Sequence, residues 1–156
     1  MFEKIPEIVL KPIGIVRSEL KQPMGSSHPR RDIVSEIIVD PALTDYLEGV
    51  EKLDHLVILF WMHLLDSTIP PRAKIHPHGN RNAPLQGLFT TRTPHRPNRI
   101  GLTTVKLLGR EGNILRVQGL DAIDGTPVID IKPFITGHDA TGGSGKPPGE
   151  HPRQHA

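Results

Sequence analysis

Apolar residues in this chain fall mostly in short runs that alternate with polar ones, the period-two pattern of strands half-buried against a core. Lys11 to Ser18 (KPIGIVRS) predicts a first strand and Ser35 to Val39 (SEIIV) a second. Asp40 then stands as a candidate N-cap with Pro41 at the first helical position. Leu43, Tyr46, Leu47 and Val50 follow at helical spacing, which predicts one short helix with a single apolar face, ending near Gly49. His55 to Leu65 (HLVILFWMHLL) is continuous rather than alternating, as expected of a strand buried on both faces. Leu102 to Leu108 and Ile114 to Leu120 predict a hairpin turning around Arg110, Glu111, Gly112 and Asn113. A DG pair, Asp124 and Gly125, precedes a last strand from Pro127 to Ile131.

Six or seven strands and one short helix predict a mainly β protein, a small single-domain β-barrel with long Pro-rich loops, rather than an alternating α/β sheet. Composition agrees. The chain has 156 residues with 16 prolines and 15 glycines, and aromatics make up only 4%, so the core has to be aliphatic and the turns many. The domain is expected to span residues 1–136, and residues 137–156, rich in Gly and Pro and poor in apolar side chains, to form a disordered tail. With no cysteine, disulfide and thiolate chemistry are excluded. No charged-then-apolar leader opens the sequence and no run is long enough to span a bilayer as a helix, so the expectation is a soluble, cytoplasmic protein with no membrane partner.

Charge changes the picture. From Ser67 to Arg110 there are eight cations and no acid, while the remainder holds eleven cations and seventeen acids. A one-sign block of this kind points to a polyanionic partner. Its centre, Gly87 to Leu102 (GLFTTRTPHRPNRIGL), sets Arg92, Arg96 and Arg99 around Pro94 and Pro97. The prolines rule out a central strand and stiffen the turn, lowering the entropy lost when it holds a ligand. Asp66 to Gln86, with four prolines, reads as a long irregular loop.

The chain has no GxGxxG, no GxxxxGK[ST], no GxSxG and no HExxH, so dinucleotide, phosphate-loop, serine-hydrolase and zincin chemistry lack their signatures. His76 and His78 form an HxH pair, to which His63 or His28 would have to add a third metal ligand. They lie in a proline-rich loop with no adjoining carboxylate, so no metal site is assigned. Arg92 and Arg96 suit bidentate grip of a carboxylate or phosphate. Asn98 and Gly101 are expected to shape the turn and let a ligand approach the backbone. Asp121, Asp124 and Asp130 near the DG turn suit either a ribose diol or structural Arg–Asp pairing, and spacing does not choose between these.

GLFTTRTPHRPNRIGLTTVKLL followed by GLDAIDGTPVIDIKPF resembles the paired signature of the TsaA-like small β-barrel tRNA methyltransferases, and the resemblance extends over about Lys11 to Phe134. Thr90, Thr93 and Arg99 stand where the family commonly has alanine, serine and proline. The resemblance implies methylation of N6 of threonylcarbamoyladenosine at tRNA position 37, with S-adenosylmethionine as cofactor, by a homodimer that binds the anticodon region. It implies cofactor contacts at His63, Leu65, Asp66, Arg92, Leu102, Gln118, Gly119, Leu120 and Asp121, and at Ser27, His28 and Pro29. The tRNA would run along the basic block, with Arg72, Lys74, Arg81 and Arg96 as phosphate contacts. Asp124, Asp66 and His63 are candidate acceptors of the N6 proton. The alternatives are a methyltransferase of this fold acting on another nucleotide or small molecule, and a non-catalytic RNA-binding barrel.

Overall fold

The computed structural model describes residues 3–23 and 32–139. The expected cofactor contacts Ser27, His28 and Pro29, and all but the start of the expected tail, lie outside the described residues. The chain divides into two compact units, one of residues 1–63 and 101–134, the other of residues 64–100 and 135–156.

The first unit is a barrel. Its strands are β1 (Gly14–Arg17), β2 (Val34–Val39), β3 (His55–Trp61), β6 (Ile100–Glu111), β7 (Ile114–Gln118) and β8 (Pro127–Pro133), and they close in the order β1-β2-β7-β6-β3-β8. Alternation explains the inside. Val16, Ile37, Val39, Leu56, Ile58, Phe60, Val105, Leu115, Val117 and Val128 point inward and are buried, almost all of them aliphatic as the composition requires. Each fully buried side chain contributes about 1.5–3 kcal/mol. β3 buries Leu56, Val57 and Ile58 in succession, as its continuous apolar run predicts, but it ends at Trp61 and leaves Leu64 exposed. Register slips between Leu59 and Phe60 on β3 and between Leu107 and Gly109 on β6 add the local twist that closing a barrel needs. The β6–β7 hairpin turns at Gly112, whose φ of 59° is the left-handed value such tight turns demand.

The expected helix is present in tighter form. Pro41–Leu47 winds as a 3₁₀ helix, with the Asp40 carboxylate accepting from Ala42 N at 2.9 Å, and Val50–Lys52 adds a second short piece. The two pieces are separated by Glu48 and a left-handed Gly49, and they bury Leu47 and Val50 while Tyr46 turns outward. Tyr46 is 82% exposed, which corrects its placement on the apolar face. Arg110, the one turn residue of the hairpin with a long reach, fastens this element. Its Nη1 donates to Leu47 O at 3.0 Å and Glu51 Oε1 at 2.6 Å, and its Nε to Gly112 O at 2.8 Å.

In the second unit, the stretch expected to be irregular holds a two-stranded ribbon, β4 (Lys74–Ile75) against β5 (Gln86–Gly87), with a short 3₁₀ turn at Pro77–Gly79. Another 3₁₀ turn, Leu88–Thr90, leads into the arginine turn. No helix among the described residues is long and apolar enough to cross a membrane.

A barrel rim and an arginine turn as candidate functional site

Strand register decides which residues meet at one end of the barrel. Val34 pairs with Gln118, Arg17 with Glu36, and Phe60 with Val128 near the start of β8. On β6, Lys106 pairs with Gln118, and Gly101 packs against the ring of Phe60. The end of β1, start of β2, end of β7, start of β6, end of β3 and start of β8 therefore form one rim. His63, Leu102, Gln118, Gly119, Leu120 and Asp121, all predicted from sequence, belong to that rim or to the segments leaving it.

Their environments differ. Leu102 is 49% exposed and offers an open apolar wall, whereas Leu120 is wholly buried and presents no surface to a ligand. Gly119, with φ 92°, sends its N–H to Ile33 O at 2.8 Å and extends the β2–β7 ladder past Gln118. Thr103 donates its hydroxyl to Asp121 Oδ1, which orients that carboxylate beside β6. His63 carries a buried Nδ1 with no hydrogen-bond partner. Its Nε2 lies 3.8 Å from where a Cβ would stand on Gly125, a residue whose φ of 80° forms the DG turn.

Asp124 is engaged. It accepts from Lys21 Nζ at 2.7 Å and Ser18 N at 2.9 Å, and those bonds, Lys21's first, hold its carboxyl below the usual range. It thereby fixes the chain leaving β1, where Leu20 O also accepts from Asp124 N at 2.7 Å. Asp130 pairs with Lys132 at 2.8 Å and sits within β8 opposite Leu59, away from the rim. Asp124 and Asp130 thus pair with lysines, not with the arginines that a structural Arg–Asp network would use.

The arginine turn, in the second unit, is held by its own cations. Arg96 is half-buried, donates to Thr91 O at 2.8 Å and Thr93 O at 3.3 Å, and lies 5.7 Å from the Phe89 ring centroid. Arg99 donates to Leu65 O and, at 3.2 Å, to Asp66 O, and so ties the end of the turn to the start of this unit. Asp66 accepts from the Thr68 hydroxyl at 2.6 Å and Thr68 N at 2.8 Å. These bonds, with smaller help from the charges of Arg99 and His95, lower its pKa. Arg92, Arg72, Lys74 and Arg81 are exposed. An open cleft of about 250 Å3 is lined by Ile69, Pro70, Arg72, Ile75, Thr93 and His95. His76 directs Nδ1 to Ala83 O at 2.8 Å, and among the described residues no three His, Asp or Glu gather as a metal site.

Sequence reasoning did not find the packing role of Gly101. A Cβ there would stand 2.3 Å from Phe60 Cε2, so packing alone already requires glycine at this position. Reasoning from sequence also missed the carbonyl-binding roles of Arg96 and Arg99, and Phe89, which is 79% exposed.

A family profile described as the tRNA-methyltransferase O N-terminal domain matches residues 16–140. A probable S-adenosyl-L-methionine-binding protein of Methanothermobacter thermautotrophicus is 41% identical over 138 residues, covering 87% of this chain and 96% of that protein. A tRNA (adenine(37)-N6)-methyltransferase of Mus musculus is 39% identical over 142 residues, covering 85% of this chain and 32% of the mouse protein. The crystal structure of TrmO from Pseudomonas aeruginosa superposes with a TM-score of 0.73 at 29% identity, covering 94% of this chain and 64% of that one. The chain thus spans nearly all of the archaeal relative, about a third of the mouse protein and less than two thirds of the solved chain.

Proposed function

The chain belongs to the family of the tRNA-methyltransferase O N-terminal domain, and from that premise we propose that it is an S-adenosylmethionine-dependent methyltransferase acting on N6 of threonylcarbamoyladenosine at tRNA position 37. The observation that carries the proposal is the rim itself. Gln118 pairs with Val34 and Lys106, Thr103 of β6 holds Asp121, and His63, 58 positions before Asp121, has Nε2 beside Gly125 of the DG turn.

The rim suits the cofactor. An amino acid joined to a nucleoside needs a carboxylate, backbone acceptors and an apolar wall, which Asp121, the backbone of Gln118, Gly119 and Asp121, and Leu102 supply. The unpartnered buried Nδ1 of His63 is a polar atom that a bound ligand would satisfy. Leu65, Asp66 and Arg92 of the second unit are assigned as cofactor contacts on the strength of the motif alone, as are Ser27, His28 and Pro29.

When bound, the cofactor supplies an already activated methyl group. The chain's task is to place the acceptor nitrogen, exclude water and receive the proton that N6 loses. Asp124 and Asp66 serve poorly as proton acceptors, because each carboxylate is engaged by neighbouring donors that stabilise its ionised form. The His63 imidazole is the remaining acceptor. Arg72, Lys74, Arg81 and the free donors of Arg96 contact phosphates of the anticodon arm, and the active species is a cytoplasmic homodimer.

Mass spectrometry of tRNA nucleosides from cells with and without the protein tests this function. N6-methylated threonylcarbamoyladenosine should disappear with the protein; an unchanged level sinks the proposal.

A further inference from the structure

Phe89 is a large apolar side chain that the fold holds in solvent. It sits in the 3₁₀ turn Leu88–Thr90, where its neighbour Leu88 takes the buried position at 6% exposure and leaves Phe89 79% exposed. The backbone beneath it is fixed at several points. Leu88 N donates to Ala73 O at 2.9 Å, Thr90 Oγ1 to Gly87 O at 2.8 Å, and Thr91 Oγ1 to Leu88 O at 2.8 Å. Arg96 packs on the ring while its Nη1 is anchored on the carbonyls of Thr91 and Thr93. An isolated exposed apolar side chain is ordinary. An aromatic ring on a rigid turn, backed by an anchored guanidinium, inside a stretch of eight cations and no acid, is a different object.

We propose that Phe89, backed by Arg96, is a stacking platform for an unpaired base of the tRNA. The inference rests on the tRNA reading above and adds to it a residue that contacts a base rather than a phosphate. A free aromatic face accepts any base, and an adjoining guanidinium adds both stacking surface and charge. The run of eight cations without an acid around the ring favours a nucleic acid over a protein partner. The platform also gives the arginine turn a division of labour. Exposed cations such as Arg92 remain available to anions, while Arg96 is held in place by the turn's own carbonyls.

The experiment compares Phe89→Ala, Phe89→Leu and Phe89→Trp in the full chain, with tRNA affinity read by fluorescence anisotropy at two salt concentrations. Phe89→Ala should weaken binding about tenfold, within the range alanine replacement of a base-stacking ring gives. Phe89→Leu should weaken it nearly as much, and Phe89→Trp should preserve it. The salt dependence should be unchanged in all three, because no phosphate contact is lost. Thermal unfolding should be unaltered, since the side chain is exposed. Equal tRNA affinity of Phe89→Ala and the native chain overturns the platform. So does a Phe89→Ala protein that changes sedimentation behaviour along with RNA affinity, which assigns the ring to a protein interface. If the native chain methylates tRNA yet Phe89→Ala binds it normally, the platform fails alone; if the native chain binds no tRNA, the tRNA reading fails with it.

Discussion

Gly101→Ala probes the packing that sets the rim. A Cβ at this position would lie 2.3 Å from Phe60 Cε2, 2.4 Å from Cζ and 2.9 Å from Cδ2. Carbon atoms in contact rest at roughly 3.5–4.0 Å, so the ring would have to retreat by about 1 Å. Phe60 is only 6% exposed and belongs to the core cluster, so it has no solvent side to swing into. Overpacking of this kind costs about 1–3 kcal/mol, and we expect about 2 kcal/mol for Gly101→Ala in urea denaturation. Phe60→Leu removes the ring atoms that clash and by itself leaves a cavity. The double variant should therefore be more stable than the two single losses together predict, by about 1 kcal/mol or more. S-adenosylmethionine affinity, read by calorimetry, should fall in Gly101→Ala and partly recover in the double variant, because Phe60 and Gly101 support the rim that carries His63 and Leu102. A Gly101→Ala protein as stable as the native chain, or a strictly additive double variant, would refute the packing argument.

Other perturbations test separate links. Arg110→Met should lose about 2 kcal/mol, since a side chain only 16% exposed gives up bonds to two carbonyls and Glu51, and thermal unfolding would register it. The Asp124 carboxyl is held below its ordinary value of 3.8, so its contribution is present above that pH and is lost as pH falls through the lower, folded-state value. Asp124→Asn should thus be less stable than the native chain at neutral pH, and the gap should close on acidification below about pH 4 in pH-dependent urea melts. Reversing Arg72 and Lys74 to glutamate should weaken tRNA binding and flatten its salt dependence while cofactor affinity stays intact; loss of both would indicate misfolding. Arg92→Ala should lower S-adenosylmethionine affinity in calorimetry, and unchanged affinity would remove Arg92 from the cofactor site.

Much of the barrel is legible because its signal is local. Ile37 and Val39 alternate with polar-facing neighbours, and the unbroken Leu56–Ile58 run announces burial on both faces, so strands can be read from either. The helix is legible as an element but not in its winding, because a capping residue and apolar spacing announce a helical turn without stating its pitch or where it breaks, here at Gly49, and Tyr46 ends exposed. Pairings across long separations were not legible. Arg99 reaches carbonyls 33 and 34 residues away, and a carbonyl has no sequence identity for a guanidinium to match. The purpose of Gly101 depends on β3 lying beside β6, which no local pattern states. The rim residues were named from motif resemblance, and register then brought the barrel's share of them together. The unpartnered Nδ1 of His63, one of nine histidines, needed coordinates to single it out.

Methyl transfer to one nitrogen of one nucleoside can be read directly from an isotope label. Purified protein should be incubated with tRNA and S-adenosylmethionine carrying a deuterated methyl group, and the tRNA nucleosides then analysed by mass spectrometry. The account predicts the label on N6 of threonylcarbamoyladenosine from position 37 and on no other nucleoside. Label on a different nucleoside, or none while the protein binds both S-adenosylmethionine and tRNA, would contradict it.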